Sequence, residues 1–201
     1  KDNNLVNFLE KKYSNINLLR VYNEDILEFD LEKICKKNSI IFGNLPYNIS
    51  SQILVKILRF KNWPPKFDNL IFMFQKELGE KIIGKFSSNS YGRLSILTNL
   101  RFKIQNKFLV SANSFFPKPK ITSMVINLKP IQSNHYKIRN INNLEKVTNI
   151  FFSNKRKMIN KNIKKIINKE KILKLTNLNL NNRPTDIKPE TYYKITELFE
   201  K

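Results

Sequence analysis

Ser39-Ile40-Ile41-Phe42-Gly43-Asn44-Leu45-Pro46-Tyr47-Asn48-Ile49-Ser50 is the stretch that decides the fold. Its first part, over residues 39–42, is an apolar run of the kind that forms a buried strand. Asn44-Leu45-Pro46-Tyr47 follows at the carboxyl end of that strand. In open α/β sheets, ligands bind outside the carboxyl ends of the strands. The tetrapeptide is therefore the first candidate site of the chain.

The residue types of this tetrapeptide suit the handling of a base amino group. The side-chain carbonyl of Asn44 can accept a hydrogen bond from an exocyclic amine. Pro46, whose ring fixes its φ, helps to aim a neighbouring backbone carbonyl at the same amine. Two acceptors on one NH2 leave the nitrogen lone pair free to attack an electrophilic methyl group. The ring of Tyr47 offers a face for a flipped base, worth about 1–3 kcal/mol. A strand that merely ends in a proline turn is the alternative interpretation.

The longer string over residues 42–50 resembles the ribosomal RNA adenine dimethyltransferase family. Other segments resemble the same family in the order that the family has them, and the resemblance covers nearly the whole chain. These segments are Asn23-Glu24-Asp25, Phe74-Gln75-Lys76-Glu77, Tyr91-Gly92-Arg93-Leu94-Ser95, Phe115-Phe116-Pro117-Lys118-Pro119-Lys120-Ile121 and Phe152-Ser153-Asn154-Lys155-Arg156-Lys157.

The resemblance implies S-adenosylmethionine as the cofactor and a set of site residues. Asp25 would receive the adenine of the cofactor, and Asn44 would contact both the cofactor and the target. Phe115 would be the aromatic residue that sandwiches the target base, with Phe116 as the competing candidate. The catalytic set that the resemblance implies is Asn44, Leu45, Pro46, Tyr47 and Phe115.

The resemblance also implies an activity: dimethylation at N6 of two adjacent adenines in a hairpin near the 3′ end of small-subunit rRNA. The expected partner is that rRNA or the pre-ribosomal small subunit, and the expected state is a monomer. The form of the string over 43–50 is similar to bacterial and organellar members, which predicts a bacterial cytoplasm, a mitochondrion or a plastid. Two alternatives stay open: a non-catalytic relative that acts in ribosome assembly or organellar transcription, and a 23S rRNA resistance methylase.

Family members open with a glycine-rich loop and an acidic residue that binds the cofactor ribose. The chain has only 4 Gly and no such loop, and Asp2 falls about two positions beyond the expected ribose carboxylate. The resemblance therefore predicts that the chain begins partway through the catalytic domain, without the first strands of the sheet. A chain of this extent is expected to be inactive by itself.

The charge of the chain indicates a polyanionic partner. Lys and Arg number 37 against 16 Asp and Glu, so the net charge is +21. Compositional bias of an AT-rich genome explains part of this excess but not its local concentration. Residues 155–174 contain nine Lys or Arg and one acid, Glu170. RNA is favoured over duplex DNA, because single-stranded loops release a base at low cost. The candidate RNA-binding residues are Arg93, Lys118, Lys120, Lys155, Arg156, Lys157, Lys161, Lys164 and Lys165.

Cysteine and histidine indicate no further chemistry. The single Cys35 makes an intrachain disulfide impossible, and its spacing from Leu31 predicts a core thiol. The single His135 lies in a polar stretch, so no metal site is predicted. No apolar run reaches the roughly 18 residues that a membrane span needs.

The apolar periodicity predicts alternating strands and helices, which is typical of an α/β fold with a mostly parallel sheet. Strands are predicted over 16–22, 39–42, 69–74, 102–109 and 121–128, the last two as an antiparallel hairpin. Helices are predicted over 3–13, 31–37, from Ser50 or Ser51 through Leu58, 77–85 and 91–99. After Pro130 the pattern changes to helices over 144–152, 155–167, 169–175 and 190–199. We therefore predict a partial methyltransferase domain over 1–130 and a small all-α RNA-binding domain over 131–201.

Overall fold

A four-stranded sheet forms the centre of the computed structural model, which describes residues 2–133, 135–176 and 178–201. The strand order is β1-β2-β4-β3. β1 and β2 are parallel, whereas β4 runs antiparallel to both β2 and β3. The predicted α/β class and terminal antiparallel hairpin are thus confirmed. The strands are β1 (Ser39–Asn44), β2 (Phe67–Gln75), β3 (Phe102–Val110) and β4 (Ser123–Pro130).

Helices connect the strands and make up the regular structure after β4. The first group is α1 (Asn3–Lys12), α2 (Leu31–Ile34), α3 (Ser50–Leu58), α4 (Lys76–Ile82) and α5 (Arg93–Arg101). The second group is α6 (Ile141–Phe152), α7 (Asn160–Ile163), α8 (Lys169–Leu173) and α9 (Pro189–Phe199). Short 3₁₀ turns lie at Ala112–Ser114 and Pro184–Asp186.

One face of the sheet carries the core. In β2 the side chains of Leu70, Phe72 and Phe74 are buried on this face. α4 packs against β2 and β4, α5 packs against β3, and α3 packs against α5. The partners of these β2 side chains across the antiparallel ladder with β4 are Leu128, Ile126 and Met124, which are also buried. The alternation of buried and half-buried residues along both strands follows from the two-residue period of a strand.

The opposite face of the sheet is more open than the sequence predicts. The apolar run predicts a buried β1, but Ile40 is 50% exposed and Phe42 is 70% exposed. The reason is that β1 is an edge strand within the described residues and pairs only with β2 there. Ile41 and Gly43, which face the covered side, are half-buried.

Two predicted elements are wrong. Residues 16–22 form turns and irregular backbone instead of a strand, because their apolar residues do not alternate and no described strand pairs with them. The predicted helix over 155–167 is reduced to α7, and Lys155, Arg156 and Lys157 lie in a turn before it. At this turn the backbone N–H of Ile159 donates to the carbonyl of Asn182, a distant partner that replaces a helical hydrogen bond.

Buried tyrosines join the helices after β4 to those of the sheet. The hydroxyl of Tyr91 donates to the carbonyl of Ile187 at 2.8 Å, and that of Tyr193 donates to the carbonyl of Ile96 at 2.9 Å. α6 and α9 pack against each other and against α5. The helical part therefore shares a hydrophobic core with the sheet part.

Candidate functional site

The carboxyl ends of β1 and β2 form one edge of the sheet, called here the rim. Asn44 is the last residue of β1 and Gln75 is the last residue of β2. The strands are parallel, with Asn44 opposite Met73, so both residues lie at the same edge. Ser123, the first residue of β4, pairs with Gln75 and also with Val110, the last residue of β3. The loop over 111–122 therefore also extends from the rim.

Asn44 lies at the rim with its side chain exposed. It is held there by the close approach of Gly43 to β2. A Cβ atom on Gly43 would lie 2.6 Å from Cδ1 of Phe72 and 2.7 Å from Cδ2 of Leu45. Both distances are shorter than a Cβ atom tolerates, and Phe72 is only 2% exposed. Only glycine therefore fits at position 43 with this backbone.

Tyr47 is half-buried and is held at two points. Its hydroxyl lies 2.6 Å from the hydroxyl oxygen of Ser123, and its backbone carbonyl accepts a hydrogen bond from Ser50 at 3.1 Å. Ser50 is the first residue of α3, after Ile49 at the N-cap position. The backbone N–H of Ile49 donates to the carbonyl of Pro46 at 3.2 Å, so the turn from β1 into α3 is ordered.

Phe115 and Phe116 differ in burial. Both lie in the loop over 111–122, after the 3₁₀ turn at Ala112–Ser114. Phe115 is half-buried, whereas Phe116 is fully exposed. The structure thus places both aromatic candidates in a rim loop without bringing either ring into a direct stack on Tyr47. The backbone N–H of Lys76 donates to the carbonyl of Thr122, which fixes the end of this loop to the start of α4.

Asp25 is not at the end of a strand, because the strand predicted before it is absent from the described residues. Its carboxylate accepts a hydrogen bond from the backbone N–H of Leu27 at 2.8 Å, and its carbonyl accepts from Glu28 and Phe29. The turn lies along α3, where Leu27 lines a groove of about 440 Å³ together with Ser51 and Gln52. Asp25 thus acts as a turn cap, but its side chain is exposed.

The candidate cations occupy three regions. Lys118 and Lys120 are exposed in the rim loop. Arg93 lies at the first position of α5 and lines a polar cleft of about 510 Å³. The cleft also contains Arg59 and Glu145, whose side chains form a two-point ion pair with distances of 2.8 and 2.6 Å. The remaining six are exposed near α7, and none of them forms an ion pair within the described residues: Lys155, Arg156, Lys157, Lys161, Lys164 and Lys165.

The residues around α7 divide into an inner and an outer side. Ile159, Asn162 and Ile163 are buried, and the side-chain amide of Asn162 donates to the carbonyl of Phe151. Lys161, Lys164 and Lys165 recur at a spacing of three and four residues and are exposed. We call Lys155, Arg156, Lys157, Lys161, Lys164 and Lys165 the basic segment.

Sequence reasoning missed the roles of Ser50, Ser123 and Gly43. Ser123 follows Thr122 at the start of a predicted strand, where a hydroxyl residue is common and carries no specific signal. Gly43 could have been noted, since a glycine in the middle of an apolar strand often marks a close backbone approach. Cys35 is buried as predicted, and burial raises the pKa of its thiol.

The described residues include no cluster of metal-ligating side chains and no helix with the length and apolarity needed to cross a bilayer.

Comparisons with known proteins confirm the family that the sequence resembles. The family model described as "Ribosomal RNA adenine dimethylase" matches residues 1–201. The ribosomal RNA small subunit methyltransferase A of Pelagibacter ubique is 37% identical over 204 residues, which cover 100% of this chain and 76% of the relative. Its counterpart in Malacoplasma penetrans is 36% identical, over 96% of this chain and 70% of the relative.

Two solved structures share the fold. A dimethyladenosine transferase from Plasmodium falciparum aligns with a TM-score of 0.74 and 23% identity, over 96% of this chain and 78% of that one. The 23S rRNA methyltransferase ErmE aligns with a TM-score of 0.69 and 19% identity, over 100% of this chain and 80% of that one. The expected Rossmann-like fold is thereby confirmed. The chain belongs to the ribosomal RNA adenine dimethylase family, a family of enzymes that dimethylate adenines of rRNA.

Proposed function

We propose that the protein methylates N6 of two adjacent adenines in a hairpin near the 3′ end of small-subunit rRNA. The observation that carries this proposal is the position of Asn44 at the rim, exposed at the end of β1 and three residues before the anchored ring of Tyr47. An acceptor and a stacking face on one short turn are what a flipped adenine requires.

In this proposal the chain acts on the amine mainly by orientation. The side-chain carbonyl of Asn44 and a backbone carbonyl next to Pro46 accept hydrogen bonds from the two N–H groups of the adenine. The amine reacts while neutral and loses its proton to water afterwards, so no general base is needed. The rings of Tyr47 and Phe115 hold the base from its two faces. Fixing the lone pair in line with the methyl group can contribute several kcal/mol to the lowering of the barrier.

S-adenosylmethionine would supply the methyl group. The residues present fit part of this cofactor: Asp25 has an exposed carboxylate that can accept from an adenine amine, and Asn44 is exposed at the end of β1, where it would contact the reacting end. The glycines at 43, 79, 84 and 92 do not form a glycine-rich loop for the methionine end. We therefore assign only Asp25 and Asn44 to the cofactor.

RNA binding is assigned to the free cations. Lys118 and Lys120 lie on the rim loop that carries Phe115, where they can contact phosphates next to the flipped base. The basic segment can contact phosphates farther along the hairpin. Arg93 is assigned to a phosphate on a separate surface, the cleft beside α6. Arg93, Lys118 and Lys120 thus lie in the catalytic part over 1–130, whereas the basic segment lies in the RNA-binding part over 131–201. The two parts together act as a monomer.

The choice of the small subunit is supported by the named relatives. Those at 36–37% identity are small-subunit rRNA methyltransferases of bacteria. The likeness to ErmE, at 19% identity, extends to the fold alone. The bacterial relatives also support action in a compartment that holds ribosomes of bacterial type.

The proposal is tested with the natural gene product, S-adenosylmethionine and two RNA hairpins, one from the 3′ end of small-subunit rRNA and one from 23S rRNA. Mass spectrometry of the digested RNA should detect N6,N6-dimethyladenosine at two adjacent positions of the small-subunit hairpin only. Methylation confined to the 23S hairpin would assign the protein to the resistance methylases. Binding of the small-subunit hairpin without any methylation would assign it a non-catalytic role.

A further inference from the structure

Tyr47 is held by two serines whose side chains are fully buried. Ser123 contacts the hydroxyl at the tip of the ring at 2.6 Å, and Ser50 donates to the backbone carbonyl at 3.1 Å. Both serines are 0% exposed. A distance of 2.6 Å is at the short end of the range for O–H···O hydrogen bonds. The aromatic ring is thus fixed at its backbone and at its tip.

Ser123 lies at the rim, between the ends of two strands. It begins β4, lies opposite Gln75 of β2 and lies opposite Val110 of β3. It directly follows the loop over 111–122, which contains Phe115. The position of the Ser123 hydroxyl is therefore set by two strands and cannot follow the ring if the ring moves.

The contact with Ser123 is what restrains the tip of the Tyr47 ring. The hydrogen bond between the two hydroxyls is partly buried, so the phenol group is shielded from bulk water while the bond exists. Removal of Ser123 Oγ leaves the phenol group without this hydrogen bond. Rotation of the ring toward solvent is then favoured, because water can take the place of Ser123 as the partner. Rotation of the ring changes the face that a base would stack on.

We propose that Ser123 is a positioning residue for methyl transfer, which fixes the ring of Tyr47 relative to the loop of Phe115. The inference rests on the proposed function, because it assigns Tyr47 and Phe115 to the two faces of the flipped adenine. Ser123 itself does not touch the base. It fixes the orientation of the Tyr47 ring with respect to the start of β4, which follows the loop that carries Phe115.

A purely structural role would be to satisfy a buried hydroxyl at the start of β4. Ser95 offers the matched comparison, because it is also 0% exposed and donates to the carbonyl of Gly92 at 2.9 Å while accepting from its N–H. Ser95→Ala removes comparable hydrogen bonds from the start of α5 without touching Tyr47. Ser123→Ala and Ser95→Ala should therefore lower the free energy of unfolding by similar amounts, so a difference in transfer rate between them reports on Tyr47.

The test measures the single-turnover rate of methyl transfer by the natural gene product at saturating small-subunit hairpin. Ser123→Ala should slow transfer by about five- to tenfold, the kinetic equivalent of one lost hydrogen bond. Tyr47→Phe removes the same contact from its other end but leaves no phenol group to turn toward water, so it should slow transfer less than Ser123→Ala does. The double variant should be no slower than the slower single variant, since only one contact is lost. Ser123→Thr, which keeps the hydroxyl, should restore most of the rate.

A second readout follows the base itself. In a hairpin with 2-aminopurine at the target position, stacking on Tyr47 quenches the fluorescence of the flipped base. Ser123→Ala should reduce this quenching. The affinity for the hairpin should change less than about twofold, because phosphate contacts dominate affinity. Ser95→Ala should leave both the quenching and the transfer rate unchanged.

Three results would overturn the positioning role alone while the wild type remains active: a wild-type rate for Ser123→Ala, multiplicative effects in the double variant, or equal effects of Ser123→Ala and Ser95→Ala. A wild-type protein that transfers no methyl group to the hairpin overturns the proposed function and this role with it.

Discussion

At the scale of single residues, the site depends on a glycine that carries no chemistry. Gly43 lets β1 approach the ring of Phe72 so closely that a Cβ would lie 2.6 Å from it. Phe72 is buried and cannot swing into solvent. Asn44 is the next residue, so the backbone that presents its side chain is set by this contact.

We predict that Gly43→Ala lowers the free energy of unfolding by about 1–3 kcal/mol, the usual effect of an added methyl group in a packed core. It should also reduce methyl transfer, because relief of the clash moves Asn44. Urea unfolding and a transfer assay provide the measurements.

Gly92→Ala is the matched control, because a Cβ there meets nothing within 4 Å. It should change stability much less and leave transfer intact. Equal destabilisation by the two substitutions would show that the contact with Phe72 is unimportant.

At the scale of elements, the basic segment is a set of exposed Lys and Arg side chains on an ordered backbone. Its outer lysines are exposed, while Ile159 and Ile163 anchor the backbone in the core. Lys155, Arg156 and Lys157 lie in a turn and not on the predicted helix. Their exposure, and not their presence on a helix, makes them available to phosphates.

Reversal of charge at Lys155, Arg156 and Lys157 together is expected to weaken hairpin binding and to flatten its salt dependence. If each contacts one phosphate, the slope of log K against log salt should fall in magnitude by about two, at about 0.7 per contact. The measurement is a salt titration of binding beside the wild type.

Reversal at Lys36, Lys37 and Lys66 is the control, because it changes the net charge equally at exposed positions in the loops that precede β1 and β2. These loops lie at the sheet edge opposite the rim. If both triple variants alter the slope equally, the basic segment has no specific role and only net charge matters.

The sequence predicts those elements whose signals are local. The apolar run before Asn44 predicts β1 correctly, and the apolar run around Phe72 predicts β2. The strand over 16–22 is wrong because a strand exists only where another strand pairs with it, which no local pattern reveals. The helix over 155–167 is wrong because the contact between Ile159 and Asn182 is made by residues far apart in the sequence. The link between Tyr47 and Ser123 spans 76 positions and is equally inaccessible to a local pattern.

At the scale of the whole molecule, three buried tyrosine hydroxyls secure the helical part. Tyr91 and Tyr193 bond across to carbonyls of the other part, and Tyr192 donates to the carbonyl of Pro184 at 2.7 Å. Burial raises the pKa of each of these three hydroxyls well above its ordinary value. Each hydroxyl must be protonated to donate.

We predict that the protein loses stability as the pH rises above about 10, the ordinary pKa of tyrosine. In that range the unfolded chain releases these protons and the folded chain retains them, so each rise in pH favours unfolding. The urea concentration at the midpoint of unfolding should decrease as the pH is raised from about 8.5 to about 11, a range that brackets this pKa.

Tyr193→Phe should make the decrease of the midpoint with pH smaller. Tyr13→Phe, at an exposed position, leaves all three buried hydroxyls in place and should leave this decrease unchanged. A midpoint that is independent of pH would contradict the role of the tyrosines.

The most direct test of the proposed chemistry is the effect of Asn44→Ala on two quantities in the natural gene product: the rate of methyl transfer and the affinity for the small-subunit hairpin. In the proposed mechanism, Asn44 acts on the reacting amine, whereas affinity comes from phosphate contacts. Transfer should therefore fall below detection while affinity changes less than about twofold. Asn7→Ala, on the exposed surface of α1, should change neither. Parallel loss of transfer and binding in a folded Asn44→Ala protein, or transfer at the wild-type rate, would contradict the assignment of Asn44.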